Sequence, residues 1–138
     1  MSQETKLPAF ALVRRDEGGE EQSDLILQFF WDEVKADHLP KGLDYFMFDC
    51  ALSNDQSVAV RWLQQVLNVP LTSGVDRTTI EASKMMPADV VITGIEMLWR
   101  RRCRSLYANL TDHRYHINHI NHARSRALKF YVHLRATA

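Results

Sequence analysis

The stretch Asp55-Gln-Ser-Val-Ala-Val-Arg-Trp-Leu-Gln-Gln-Val-Leu67 sets the reading of the whole chain. Ala59, Trp62, Leu63, Val66 and Leu67 fall at i, i+3, i+4, i+7 and i+8, the apolar stripe of a 3.6-residue helix. Asn54 or Asp55 stands in front of it as an N-cap. Outward from this helix the same period recurs on both sides. Nowhere do Val, Ile and Thr alternate with polar residues over the length of a strand. The sequence therefore predicts an all-α protein, a single domain of about six helices.

Upstream, Leu7 to Arg15 reads as a first helix, with Pro8 tolerated in its first turn and Gly18-Gly19 ending it. Ser23 reads as the N-cap of a second, whose inner face is Ile26, Phe29, Phe30 and Val34 and which His38-Leu39-Pro40 breaks. The third segment, Pro40 to Leu52, holds Tyr45-Phe-Met-Phe48 and is so apolar that it is expected to be surrounded. Downstream, Pro70 to Asp76 is a loop and Thr78 to Met85 a short helix. Pro87 then opens a long helix with the stripe Ile92, Ile95, Trp99, Cys103, Leu106 and Leu110. A break at Asn109 to His113 separates it from a last helix, Tyr115 to Leu134, which turns Ile117, Ile120, Ala127, Leu128, Tyr131 and Leu134 inward. Residues 1–6 and Glu17 to Gln22 are the expected mobile segments.

At 138 residues and 16.0 kDa the chain supports one core rather than two. Its 46% hydrophobic and 25% charged residues exclude wholesale disorder, a collagen-like fibre and a disulfide-dense mini-protein. The apolar runs Leu7 to Val13 and Leu25 to Trp31 are too short to span a membrane, and neither has the flanks of a secretory leader. No signal peptide or anchor is expected. Cys50 and Cys103 lie in apolar segments and read as buried free thiols, in keeping with a reducing compartment.

The formal net charge of zero hides a division. Residues 1–96 hold 16 acids against 8 Lys or Arg, whereas residues 97–138 hold one acid, Asp112, and nine Lys or Arg. Two readings follow. Either a basic C-terminal pair of helices is neutralised against an acidic body, or the basic face meets a polyanion such as nucleic acid. In Trp99-Arg-Arg-Arg-Cys-Arg104, helical spacing brings Arg100, Arg101 and Arg104 together as candidate phosphate ligands, with Glu96 as the internal alternative. His113, His116, His119 and His122 recur every third residue, a period that winds around a helix instead of converging on one ion. Neither a metal nor a cofactor is expected.

Two stretches carry more specific information: Ala36-Asp-His-Leu-Pro-Lys-Gly-Leu-Asp-Tyr-Phe-Met-Phe-Asp49 and Ala59-Val-Arg-Trp-Leu-Gln-Gln-Val-Leu-Asn-Val69. Together they resemble the predicted peptidoglycan-binding domain that forms the C-terminal half of glycoside hydrolase family 108, the phage and secretion-associated N-acetylmuramidases. That family shows an Asp-x-Leu-Pro-x-Gly-Leu-x-Tyr segment, an aromatic-Asp pair and an Ala-Val-x-x-Leu-Gln helix. The similarity runs from about Asp24 to Arg126. Residues 1–22, with Ala9-Phe-Ala-Leu-Val-Arg-Arg-Asp-Glu-Gly-Gly19, resemble the family's opening lysozyme-like helix and its Glu-Gly-Gly motif. Residues 23–138 then correspond to the peptidoglycan-binding-like region.

The resemblance implies a lysozyme-like fold, peptidoglycan glycan strands as partner and the β-1,4 linkage between their amino sugars as substrate. Glu17 takes the place of the catalytic acid, a carboxyl that must hold its proton beside the leaving oxygen. Phe10 or Trp31 could supply the apolar wall this requires. In a second register Asp16 to Glu20 match a following Asp-x-Gly-Gly-Glu loop, and Glu17 is then not the acid. Tyr45 and Asp49, one turn apart, would line the sugar groove with Asn54 beside them; the alternative places Tyr45 in the core. Trp62 reads as core rather than as a sugar platform. Release to the wall from the cytoplasm, the expected place of synthesis, would need a holin or a secretion partner.

Three departures from the family stand out. The cleft-forming segment that should follow the Gly-Gly pair is missing, because Ser23 arrives at once. The Asn-Ser-Gly turn is replaced by Leu52-Ser53-Asn54-Asp55, and the Asp-Gly-x-x-Gly-Pro-x-Thr loop by Thr72 to Thr79. An alternative function follows from them: the fold is kept, hydrolysis is lost, and the surface binds a host or phage protein, or a nucleic acid at the basic C-terminal helices.

Overall fold

A helix that is apolar all round offers no face to water, so it must be walled in by other helices. Leu43 to Asn54 form such a helix, and nine consecutive residues, Leu43 to Ala51, are buried. The computed structural model describes residues 21–106 and 110–137, with side chains over 25–106 and 113–129. In chain order its elements are α1 (Glu21–Glu33), a 3-10 turn (Ala36–His38), α2 (Leu43–Asn54), α3 (Gln56–Leu67), α4 (Arg77–Ser83), α5 (Ala88–Leu106) and α6 (Leu110–Thr137). The described residues are all-helical, with no strand among them. Helix α2 is the hub, touching α1, the 3-10 turn, α3, α5 and α6. The expected opening helix, Leu7 to Arg15, and the segment Glu17 to Gly19 lie outside the described residues.

The segment before α2 is built to start it. Gly42 has φ 90°, a conformation that a Cβ would strain. The Asp44 carboxylate folds back onto the amides of Gly42 and Tyr45, at 3.0 and 2.6 Å, satisfying donors that the first helical turn leaves open. Burial pushes the Asp44 carboxyl above its ordinary value, against the pull of these amides and of Lys41.

Helix α1 differs from the sequence expectation. Ser23 lies within it and is not its N-cap. Its inner face is Leu27, Phe30, Trp31 and Val34, while Ile26 and Phe29 are exposed. The rotation follows from Trp31, whose indole donates to Asp37 at 2.8 Å and meets the Phe48 ring edge-on at 5.5 Å. One large amphipathic ring with a buried partner outweighs the spacing of two smaller residues.

Helix α3 begins at Asp55 as expected, and its side chain accepts from the Gln56 amide. The stripe of α5 is buried at Ile92, Ile95, Trp99 and Cys103, but Leu106 is exposed. Cys50 and Cys103 are buried free thiols, and burial pushes Cys50 well above its ordinary value. The expected break at Asn109 to His113 is corrected too, since the helix already runs from Leu110. Leu110-Thr-Asp-His113 reads equally well as an opening turn, where Thr and Asp favour the free amides and the helix dipole. Helix α6 buries Ile120, Ala123 and Ala127, and it is fastened to α5 by Glu96, which pairs with Arg100 at 2.8 Å and Arg124 at 2.7 Å.

Helices α3 and α5 cross closely at Gly94, where a Cβ would stand 2.9 Å from both methyl groups of Val66. Valine is stiff and cannot swing away. Gly94→Ala is expected to destabilise the protein by about 1 kcal/mol in urea unfolding. Overpacking of roughly 1–3 kcal/mol exceeds a helix-propensity gain of about 1 kcal/mol. Val66→Ala should cost less in that background than alone, the signature of a direct clash.

Candidate functional site

Tyr45, Asp49 and Ser53 stand one turn apart along α2 and so share a face. The Tyr45 hydroxyl donates to Asp49 Oδ2 at 3.2 Å. The other carboxylate oxygen, Oδ1, lies 3.2 Å from His119 Nε2 on α6. That same nitrogen is 3.1 Å from Ser53 Oγ. Polar groups thus run from the closed core to the surface: Tyr45 and Asp49 are buried, the His119 side chain is 30% exposed, and Ser53 is exposed. Trp99 backs the imidazole with its ring centroid at 6.0 Å.

One ring nitrogen serving two oxygens fixes the chemistry. With the Asp49 oxygen as acceptor, the imidazole carries a proton on Nε2 and donates it toward that oxygen. It then cannot take a proton from Ser53, whose oxygen acts as a second acceptor. The arrangement is not a serine nucleophile with its base, which needs the two ring nitrogens to face opposite partners. It is a clamp between α2 and α6 that leaves His119 Nδ1 and the Ser53 and Asn54 side chains to meet a ligand. Asn54, the last residue of α2, is half-buried, and its amide donates to the Cys50 carbonyl at 3.0 Å.

The turn beside this clamp is strained. Asp55 has φ 132° and ψ 142°, a region that belongs almost entirely to glycine. The family resembled places Asn-Ser-Gly at this turn, and here a side chain occupies the backbone conformation that the glycine would serve. Strained backbone of this kind concentrates at functional sites.

The second stretch of the resemblance has a structural role. Gln64, the glutamine of Ala59-Val-Arg-Trp-Leu-Gln64, is completely buried. Its amide nitrogen, with two hydrogens to give, lies within hydrogen-bond reach of Thr72 Oγ1 and the Gly74 carbonyl, both at 2.9 Å, and of Thr79 Oγ1 at 3.1 Å. Its oxygen receives the amides of Thr72 and Ser73. One side chain thereby holds the 72–79 loop. Asp76 caps α4 within it, and bonds from the Thr79 hydroxyl and amide hold its carboxyl below the ordinary value. A polar hollow of about 420 Å³ opens beside it, with Asp32, Lys35, Gln56 and Thr72 in its walls.

Of the candidate residues, Tyr45 and Asp49 are bonded to each other and enclosed instead of lining an open groove, while Asn54, at the end of α2, is bonded to Cys50 and stands on another side of the helix. Glu17 lies outside the described residues. Arg100 is taken up by Glu96 and Asn121. Arg101 and Arg104 are exposed, with no ion pair among the described residues. His119 was not singled out by the sequence. It lies 70 residues from Asp49, and nothing local distinguishes it from its three neighbours in the histidine series.

Among solved structures, the chain is similar to SagA of Brucella abortus, at 26% sequence identity with a TM-score of 0.77. The match covers 81% of this chain and 65% of that one. The chain thus spans a little under two thirds of the SagA chain. No family model matches the sequence, and no curated protein matches it. The likeness supports the all-helical fold.

Asp49→Ala should lower stability in urea unfolding by about 3 kcal/mol, because Tyr45 and His119 lose a buried acceptor together. Tyr45→Phe should cost only about 1 kcal/mol. Equal losses would mean that the carboxylate is not the junction. Asp55→Gly should instead stabilise by about 1 kcal/mol, since relief of roughly 1–3 kcal/mol of strain exceeds the few tenths lost with the cap. The expected readout is a higher urea midpoint at unchanged slope.

Proposed function

We propose that this protein is a peptidoglycan-targeting, muramidase-like protein that engages the amino-sugar backbone of the cell wall at the α2 terminus. The observation that carries the reading is where the family-like residues fall in the fold. Asp37 receives the Trp31 indole, Gly42 opens α2, Tyr45 and Asp49 enter the clamp, and Gln64 holds the loop. Each residue type meets a demand of the fold at the position where the family shows it. The likeness to SagA over most of the chain points the same way.

Ser53, Asn54 and His119 present hydrogen-bonding groups of the kind that sugar hydroxyl and acetamido groups pair with. In this reading Tyr45 and Asp49 position His119 and do not touch the sugar. Glu17 is the general acid, and the polar hollow near Gln56 offers further hydroxyl-binding groups.

A second reading rests on one observation. Only Glu20, Glu21 and Gln22 separate Gly19 from Ser23, which already lies in α1, where the family has a further cleft-forming segment. In that reading the fold binds its partner without cleaving it.

Clearing of suspended cell walls, followed as turbidity, separates the two. Hydrolysis predicts clearing by the wild type and loss of at least about a hundredfold in rate for Glu17→Gln. Sedimentation with purified sacculi but no clearing supports the binding reading. Neither clearing nor sedimentation on several wall types overturns the peptidoglycan assignment.

A further inference from the structure

Away from the α2 terminus, a groove of about 430 Å³ runs between α3 and the C-terminal half of α5. Trp62 and Gln65 form one wall; Leu98, Arg101, Arg102 and Ser105 form the other. No acid lines it. Arg101 and Arg102 make no ion pair among the described residues, whereas Arg100 and Arg124 of the same helix pair are both held by Glu96. Trp62, expected in the core, is half-buried and shows part of its ring to the groove. Two guanidinium groups with no ion pair among the described residues, beside an indole and a leucine, form a receptor for a small ligand that carries a carboxylate next to an apolar stem.

We propose that this groove is a second binding site, for a short carboxylate-bearing peptide. In the setting of the peptidoglycan reading, on which this choice of ligand rests, that peptide is the stem carried by the glycan. Arg101 and Arg102 take its carboxylates, Gln65 and Ser105 take its amide groups, and Trp62 and Leu98 cover its aliphatic portion. An open groove of this size, with two adjacent guanidinium groups, suits one peptide of a few residues better than a polymer, which needs a continuous basic track. The site would hold the stem while the α2 terminus meets the sugars, so that two weak contacts act on one strand.

The test uses the full chain and the soluble tripeptide L-Ala-γ-D-Glu-diaminopimelate. Trp31 and Trp99 are buried, so acrylamide quenching of tryptophan emission reports mainly Trp62. The tripeptide should protect Trp62 from quenching in a saturable way. Arg101→Glu and Arg102→Glu should each weaken binding by at least about tenfold, the usual effect of losing a charge-assisted bond. Arg104→Glu makes the same change in net charge on an exposed residue outside the groove, and should leave binding within about twofold. Arg102→Lys, which keeps the charge and loses the fork, should fall between, and unchanged thermal unfolding confirms that each variant is folded.

No protection by the tripeptide overturns the proposal, as does equal weakening by Arg104→Glu, which would mean diffuse attraction. Tighter binding of inorganic phosphate or of a short oligonucleotide than of the tripeptide also overturns it. Sedimentation with sacculi, run in parallel, keeps the two claims apart: sacculus binding that survives while the tripeptide fails removes the groove and leaves the peptidoglycan reading. Tripeptide binding without sacculus binding does the reverse.

Discussion

The burial of α2 on every side governs the rest of the molecule. Nine consecutive residues without access to water cannot be served by one neighbour, so α1, α3, α5 and α6 all pack around them. Among those nine are two carboxylates. Asp44 is satisfied at once by amides of its own turn. Asp49 stands in mid-helix, where the backbone amides are committed to the helix itself. It must therefore be met from outside the helix backbone, and the Tyr45 hydroxyl and the α6 imidazole meet it. A buried carboxylate left without such partners would be costly, which makes the position of α6 relative to α2 a consequence of one side chain.

The same constraint links core to surface. Asp49 holds His119 from below, His119 reaches Ser53, and Ser53 precedes the strained turn at Asp55. The one exposed rim that this network forms is thus attached to the most enclosed part of the protein. Such support keeps a ligand-facing group in one orientation, the arrangement that precise recognition requires.

Charge is distributed by a similar logic. The basic character of residues 97–138 is neutralised only in part, and the local partner is Glu96, which draws in Arg100 and Arg124 and joins α5 to α6. Arginines one position away turn to other faces of α5, out of reach of that carboxylate. The net charge of zero is a property of the whole chain and says little about the groove between α3 and α5, which no acid lines among the described residues.

The sequence by itself determined what depends on residues close together along the chain. The helical class, the α3 stripe, a cap at Asn54 or Asp55, the enclosed third segment and the shared face of Tyr45 and Asp49 all follow from local sequence, because 3.6-residue periodicity is local. Tertiary structure decided what depends on residues far apart. Trp31 rotates α1 away from its Ile26 and Phe29 face because Asp37 and Phe48 offer it partners. Gln64 is a loop anchor and not one more polar surface residue, because residues 72–79 fold back over it. Of four similar histidines, only the packing of α6 against α2 singles out His119 for Asp49. Hydrogen bonds and close packing act over a few ångströms in space whatever the separation along the chain, and a one-dimensional pattern does not record that distance.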